Sequence, residues 1–164
     1  MIRYRRIPTP LGPLFATAAG DTLAGLYYEG GRHAPPISPL WVEDPHHRAL
    51  ADCARQLAEY FSRKRHRFEL QMAPVGTPFQ LRVWREIARI PYGETISYAE
   101  LAQRAGAPGS ARAAGAATGR NPLSIVVPCH RVVASGGALT GYAGGLERKA
   151  RLLEIEGVPQ AEAA

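Results

Sequence analysis

Residues 97–119 read SYAELAQRAGAPGSARAAGAATG, and the fold of the C-terminal half turns on how this stretch divides. Ser97 and Ser110 are both residue types that cap helix N-termini, and Gly106-Ala107-Pro108-Gly109 between them is a turn signal. The stretch therefore predicts two short helices, Tyr98 to about Ala105 and Ala111 to about Thr118. Leu101 and Ala102 face inward on the first. Two capped helices joined by a glycine-containing turn are the outline of a helix-turn-helix. The second helix is unusual. Arg112 is its only charge, and nearly every other side chain is a methyl group or a hydrogen. Such a helix either packs tightly in a core or lays its backbone close against another surface, such as a DNA groove.

Working outward, Thr77 is a candidate N-cap with Pro78 at the first helical position. Phe79, Val83, Ile87 and Ile90 form the apolar face of that helix, and Pro91-Tyr92-Gly93 ends it. Upstream, Ala73-Pro74-Val75-Gly76 reads as a linker. The N-terminal part predicts strands at Arg3–Ile7, Leu14–Ala18 and Thr22–Tyr28, a Gly/Pro-rich loop from Gly30 to Pro39, a helix from Pro45 to about Arg63, and a further strand over Phe68–Met72. Leu50, Ala54, Leu57 and Phe61 make the stripe of that helix. Cys53 lies next to it and reads as a small buried hydrophobe. The chain is thus expected to be α+β in two lobes. Residues 1–73 are a small antiparallel sheet with a helix, residues 77–157 a mostly helical lobe, and residues 158–164 a tail whose end, Gln160–Ala164, should fray.

The 164 residues are enough for one compact domain or two small lobes. Twenty basic against 14 acidic residues leave a net charge of +6, and Lys64 and Lys149 are the only lysines. Arginine suits bidentate phosphate contacts, so the balance favours a nucleic-acid partner, although an arginine-rich composition alone also accounts for it. No apolar run of about 18 residues occurs, and MIRYRRIPTP is not followed by the apolar segment of a signal peptide. A cytoplasmic protein with no membrane partner is expected. The two cysteines, Cys53 and Cys129, are not expected to pair there. No zinc-type spacing is present, so no metal and no cofactor are expected.

Downstream lies IVVPCHRVV, residues 125–133. Ile125-Val126-Val127 reads as a short buried strand stopped by Pro128. A thiol, an imidazole and a guanidinium follow in what otherwise looks like core. A free thiol is a poor nucleophile at neutral pH and needs a base to take its proton. His130 is adjacent to Cys129, but neighbours on a strand point to opposite faces. A turn after Pro128 or a bridging water would bring the pair together. Glu154 and Glu156 on the last predicted helix, Leu146 to Glu156, are both candidates to orient the imidazole. Leu146, Ala150, Leu153 and Val158 face inward there. Before this helix, Ser135-Gly136-Gly137 and Gly141–Gly145 form a glycine-rich loop around Tyr142.

PCHRVV, with GRNP, ARAAG, SYAELA and IPYGETISYAELA upstream and GYAGGLERK downstream, resembles the O6-alkylguanine-DNA alkyltransferases, bacterial type. The likeness runs in order from about Thr77 to Gly157, and TPLGPL extends it more loosely to the N-terminal lobe. It implies a ribonuclease-H-like first lobe and a winged-helix-like second lobe that binds double-stranded DNA carrying O6-alkylguanine. The alkyl group passes irreversibly to Cys129, once per molecule. It implies His130 as a water-mediated base, Glu156 as its orienting carboxylate, Tyr98 as a donor to the base ring nitrogen and Asn121 as the holder of the turn before the active-site segment. The second helix of the helix-turn-helix enters the minor groove in such proteins. Arg112 then replaces the extruded base, and Ala113, Ala114 and Gly115 allow close approach, with Thr95 and Ser97 also at the DNA. Tyr142, Gly144 and the backbone of Val132 and Ala143 wall the pocket that receives the flipped base.

Ala143 departs from the serine common in relatives, which leaves the alkyl-size range and O4-alkylthymine open. A monomer is implied, with cooperativity on DNA left open. Three rivals remain: a non-transferring alkyl-damage-binding protein, in which the cysteine is replaced; a helix-turn-helix regulator with an incidental thiol; and a turnover Cys-His hydrolase, which would need an oxyanion site and gives no reason for the Arg112 helix.

Overall fold

Three segments rich in aliphatic and aromatic residues form strands β1 (Ile2–Ile7), β2 (Leu14–Ala19) and β3 (Thr22–Tyr28), paired antiparallel in sequence order. The computed structural model describes residues 1–159. It divides the chain into an N-terminal unit of Met1–Val75 with Pro122–Ser124, and a C-terminal unit of Gly76–Asn121 with Ile125 onward. The sheet of the first unit has the order β3-β2-β1-β4, where β4 (Val42–Glu43) runs parallel to β1. The sheet is therefore mixed rather than purely antiparallel, and β4 is too short to show a period in sequence. Helix α1 (Arg48–Phe61) packs Leu50, Cys53, Leu57 and Tyr60 toward buried Leu14, Ala16, Leu23 and Leu26 of the sheet.

The cap of α1 is His47. Its Nδ1 accepts from the Ala49 amide, and Nε2 then carries the proton and donates to the Gly20 carbonyl at 2.9 Å. The expected strand over Phe68–Met72 shrinks to one bridge, Met72 beside Leu23. The backbone there is held by a side chain instead. Buried Gln56 donates to the Glu69 carbonyl at 3.1 Å and accepts from the Glu69 amide at 2.8 Å. The isolated return of the chain at Pro122–Ser124 also belongs to this unit: Leu26 N donates to Pro122 O and Ser124 N to Leu26 O. The lobe is therefore discontinuous in sequence.

In the C-terminal unit α2 (Pro78–Ala88) begins with a full capping box. Thr77 Oγ1 accepts from the Gln80 amide, and Gln80 Oε1 accepts from the Thr77 amide. Val83, Trp84 and Ile87 form its buried face, while Phe79 is only half-buried. Strand β5 (Ile96–Ser97) leads into α3 (Tyr98–Arg104), whose Ser97 cap accepts from the Glu100 amide. A turn then leads to α4 (Ala111–Gly119). Ser110 stands at its N-cap position but makes no capping hydrogen bond with its side chain. The helix-turn-helix is present.

The small-residue helix serves both readings, on opposite faces. Ala114, Ala117 and Thr118 are buried, with Trp84 Nε1 donating to the Ala117 carbonyl at 2.8 Å, while Arg112, Ala113 and Ala116 are exposed. Ala114, expected at the DNA surface, is core. Helix α5 (Leu146–Ile155) closes the unit, and Leu146, Ala150, Leu153 and Val158 pack with Val133 and Leu139. Among the described residues no helix is long and apolar enough to cross a membrane.

Candidate active site

The segment expected to be a strand is a buried turn. Ser124, Ile125 and Val126 turn the chain, and Ile125 has φ 69°, in the left-handed region that costs a β-branched residue about 1–2 kcal/mol. Composition misleads here because Ile-Val-Val has strand propensity but the chain must reverse. Cys129–Arg131 then form one turn of 3-10 helix, followed by β6 (Val132–Val133), which pairs parallel to β5. This turn removes the strand objection to a Cys129–His130 partnership. The Val127 carbonyl pins it, accepting from the Cys129 amide and from Asn121 Nδ2, both at 2.8 Å.

Five ionisable or thiol side chains are buried together around this turn: Cys129 (5% exposed), His130 (0%), Arg131 (6%), Lys149 (0%) and Glu156 (6%). Such groups enter a core only when paired. Glu156, the C-cap of α5, is the hub. It accepts from His130 Nε2 at 2.7 Å, from Arg131 Nε and Nη2 at 2.8 and 3.0 Å, and from the Gly93 amide at 3.2 Å. Arg131 Nη1 donates to the Ile90 carbonyl at 2.7 Å. The Pro91-Tyr92-Gly93 turn that ends α2 thus also cradles the carboxylate. Glu154 is exposed, so Glu156 is the residue that meets the imidazole.

This geometry sets protonation. Burial alone would raise the Glu156 pKa, but His130 and Arg131 hold the carboxyl well below its usual range. Burial lowers the His130 pKa, partly offset by Glu156, so the imidazole is neutral. Its Nε2 carries the hydrogen that Glu156 accepts, and Nδ1 therefore holds a lone pair. Nδ1 is buried and makes no hydrogen bond among the described residues. Burial raises the Cys129 pKa, while Asn121 and the charge of Lys149 oppose it. The resting group is a thiol next to a neutral base, which suits proton transfer during attack rather than a standing thiolate.

Lys149 was not singled out by sequence reasoning. Its ammonium has three donors and meets three carbonyls: Val132 and Thr140 at 2.7 Å and Gly141 at 3.2 Å. It ties β6 to the glycine-rich loop, and burial pushes its pKa down to about 8. The signal was available. Lys149 lies three residues after Leu146 and four before Leu153, on the inward stripe. Arg131 was likewise passed over, although it stands between His130 and Val132 in an apolar run.

Tyr98 is half-buried at the start of α3. Its hydroxyl donates to the Thr140 carbonyl at 3.3 Å, its ring lies 5.9 Å from Lys149 Nζ, and burial raises its pKa. A Cβ placed on Gly115 would sit 3.7 Å from the Tyr98 ring, and one on Gly141 3.9 Å from its hydroxyl. Helix α4, Tyr98 and the loop thus converge. The Tyr142 ring stands edge-on to His130 at 6.5 Å, and Ala143 and Gly144 are half-buried beside it. Thr95 is half-buried, and Ser97 spends its hydroxyl on the α3 cap.

Comparison with known proteins decides the family. Residues 78–158 match the family described as 6-O-methylguanine DNA methyltransferase, DNA binding domain, and residues 2–74 match its ribonuclease-like domain. The chain belongs to the 6-O-methylguanine DNA methyltransferases. It is 46% identical over 156 residues to the methylated-DNA–protein-cysteine methyltransferase of Mycobacterium tuberculosis, covering 95% of this chain and 93% of that one. The same-named protein of Methanosarcina barkeri is 43% identical, covering 93% and 96%. The crystal structure of M. tuberculosis OGT in complex with DNA superimposes with a TM-score of 0.86 at 44% identity, covering 94% and 92%. In this methyltransferase Cys129 belongs to the buried cluster around Glu156.

Proposed function

We propose that Cys129 is the acceptor in this methylated-DNA–protein-cysteine methyltransferase and that the protein repairs DNA directly. The observation that carries the reading is the His130–Glu156 hydrogen bond at 2.7 Å, which leaves the Nδ1 lone pair of a neutral, buried imidazole as base for a neighbouring buried thiol. Cys129 Sγ attacks the alkyl carbon on guanine O6. An S–C bond forms as the C–O bond breaks. The thiol proton passes through a bridging water to His130 Nδ1, and the Tyr98 hydroxyl donates to the ring nitrogen of the departing guanine. Asn121 holds the turn that presents the thiol. The thioether has no hydrolytic exit, so each molecule acts once.

The base inside a stacked duplex cannot reach a thiol that is 5% exposed, so the target is flipped out. The exposed face of α4 enters the minor groove. Arg112 fills the vacated stack, and Ala113 and Gly115 bring the backbone close. The pocket is walled by Tyr142, Ala143, Gly144 and Val132. The substrate is double-stranded DNA carrying O6-alkylguanine, methyl first, and the protein acts as a monomer in the cytoplasm without a cofactor. Labelled methyl DNA titrated against protein tests this: uptake saturates at one methyl per chain. Catalytic turnover would contradict it. Arg112→Ala is expected to lose DNA affinity while still reacting with free O6-benzylguanine. Equal loss of both would remove Arg112 from the stack-filling role.

A further inference from the structure

We infer that the turn following α1, Ser62–Phe68, is a second phosphate-contacting surface for duplex DNA, carried by the N-terminal unit. The inference rests on the DNA-binding reading above and extends it to residues outside the helix-turn-helix. The turn reads SRKRHRF, with Arg63, Lys64, Arg65 and Arg67 and no acid. The acids nearest in sequence are Glu59 and Glu69. Glu59 is occupied by Arg55 and Arg65, and Glu69 is exposed directly after the run.

The turn is built rather than loose. A Schellman motif ends α1: the Arg63 amide donates to Tyr60 O at 3.0 Å and the Lys64 amide to Glu59 O at 2.8 Å. Arg63 occupies the left-handed position of this motif at φ 63°, where glycine is the favoured residue. Arg65 staples the interior, donating from Nε to Glu59 at 2.9 Å and from Nη1 to the Arg67 carbonyl at 2.8 Å. The paired hydrogen bonds of Gln56 with the Glu69 backbone close the far end.

On this frame the side chains of Arg63, Lys64 and Arg67 are exposed and make no ion pair or hydrogen bond among the described residues. Elsewhere in the unit exposed Arg32 and Arg48 stand singly without a partner among the described residues, and other arginines are paired. Arg3 pairs with Asp44, Arg6 with Glu29 and Glu43, and Arg55 with Asp52 and Glu59. A rigid turn with an arginine at a glycine-favoured position and three unpaired cations fits a regularly spaced polyanion. Such contacts position a protein on DNA without reading sequence.

The test is fluorescence anisotropy of an undamaged duplex across a salt series, with wild-type protein, Arg63→Gly, and a triple variant of Arg63→Gln, Lys64→Gln and Arg67→Gln. Three lost phosphate contacts should make the log K against log salt slope shallower by about 2–3 and weaken binding at low salt by about tenfold or more. Arg63→Gly relieves the left-handed arginine, so it should keep or raise the melting temperature while weakening binding and reducing the slope by about 1. Identical affinities and slopes in all three proteins would overturn the inference alone. Unchanged DNA binding with reduced binding to phosphatidylserine vesicles would also overturn it, in favour of a membrane partner. Wild-type protein that ignores the duplex would overturn the DNA-binding reading as well.

Discussion

The two cysteines sit in equally buried places and have opposite prospects. Cys53 on α1 is 0% exposed, and burial pushes its thiol up to about 12, with only the distant charge of Arg5 opposing. Cys129 is 5% exposed and is also raised by burial, but Asn121 and the charge of Lys149 oppose that rise, and a neutral imidazole follows it in the chain. Burial alone therefore makes a cysteine inert. In the proposed reaction the difference lies in the polar groups buried with Cys129, and those groups enter the core because Glu156 and the backbone carbonyls around Lys149 satisfy them. The N-terminal unit leaves its charges at the surface, while the C-terminal unit encloses a network around Cys129, the proposed acceptor.

The largest effect is expected at the thiols. Cys129→Ser should abolish alkyl uptake altogether, as followed by labelled-methyl transfer. Glu156→Gln should come next. It leaves the buried Arg131 guanidinium without its counter-charge, a loss of about 3–5 kcal/mol, or roughly 10 °C in melting temperature. It also frees the imidazole tautomer, so transfer should slow sharply even at temperatures where the variant is folded. The pH dependence sharpens the same point. Both His130 and Glu156 have folded pKa values lowered from 6.5 and 4.5, so their contribution to stability is full above those values. It is lost as pH falls, first below about 6.5 as the unfolded imidazole takes up a proton, then below about 4.5 for the carboxyl. Thermal melts between neutral and acid pH should show this decline, and a flat profile would contradict the buried network.

Lys149→Met should lower the transfer rate on free O6-benzylguanine as well as on DNA, because Val132, Thr140 and Gly141 lose a shared donor. Unchanged single-turnover rates would reduce Lys149 to packing. The smallest effect belongs to Cys53→Ala, expected to cost about 1 kcal/mol with full alkyl uptake retained. A loss of uptake there would erase the distinction between the two sites.

Periodicity and turn residues were enough to read the three long strands, the long helices and the helix-turn-helix, although Ser110 opens α4 without a capping bond and the α1 cap is His47. Thr77 and Ser97 cap as their residue types predict. Ile125–Val127 was misread because a β-branched run carries strand propensity regardless of a left-handed φ imposed by the fold. The choice between Glu154 and Glu156 could not be made from spacing, since it depends on where α5 ends and which carboxyl turns inward. Lys149 and Arg131 were overlooked because a charged residue in sequence reads as solvent-facing until its partners are seen. The carbonyls and the carboxylate that neutralise them lie 8 to 41 residues away.

An intact-mass spectrum after incubation with an O6-methylguanine oligonucleotide, followed by peptide mapping, shows whether Cys129 accepts the methyl group. The expected result is the mass of one added methyl group per chain, located on the peptide that holds Cys129 and absent from the peptide that holds Cys53. An unmodified protein that still retains the damaged duplex would contradict transfer and leave damage binding alone. A methyl group on Cys53 would contradict the contrast between the two buried thiols.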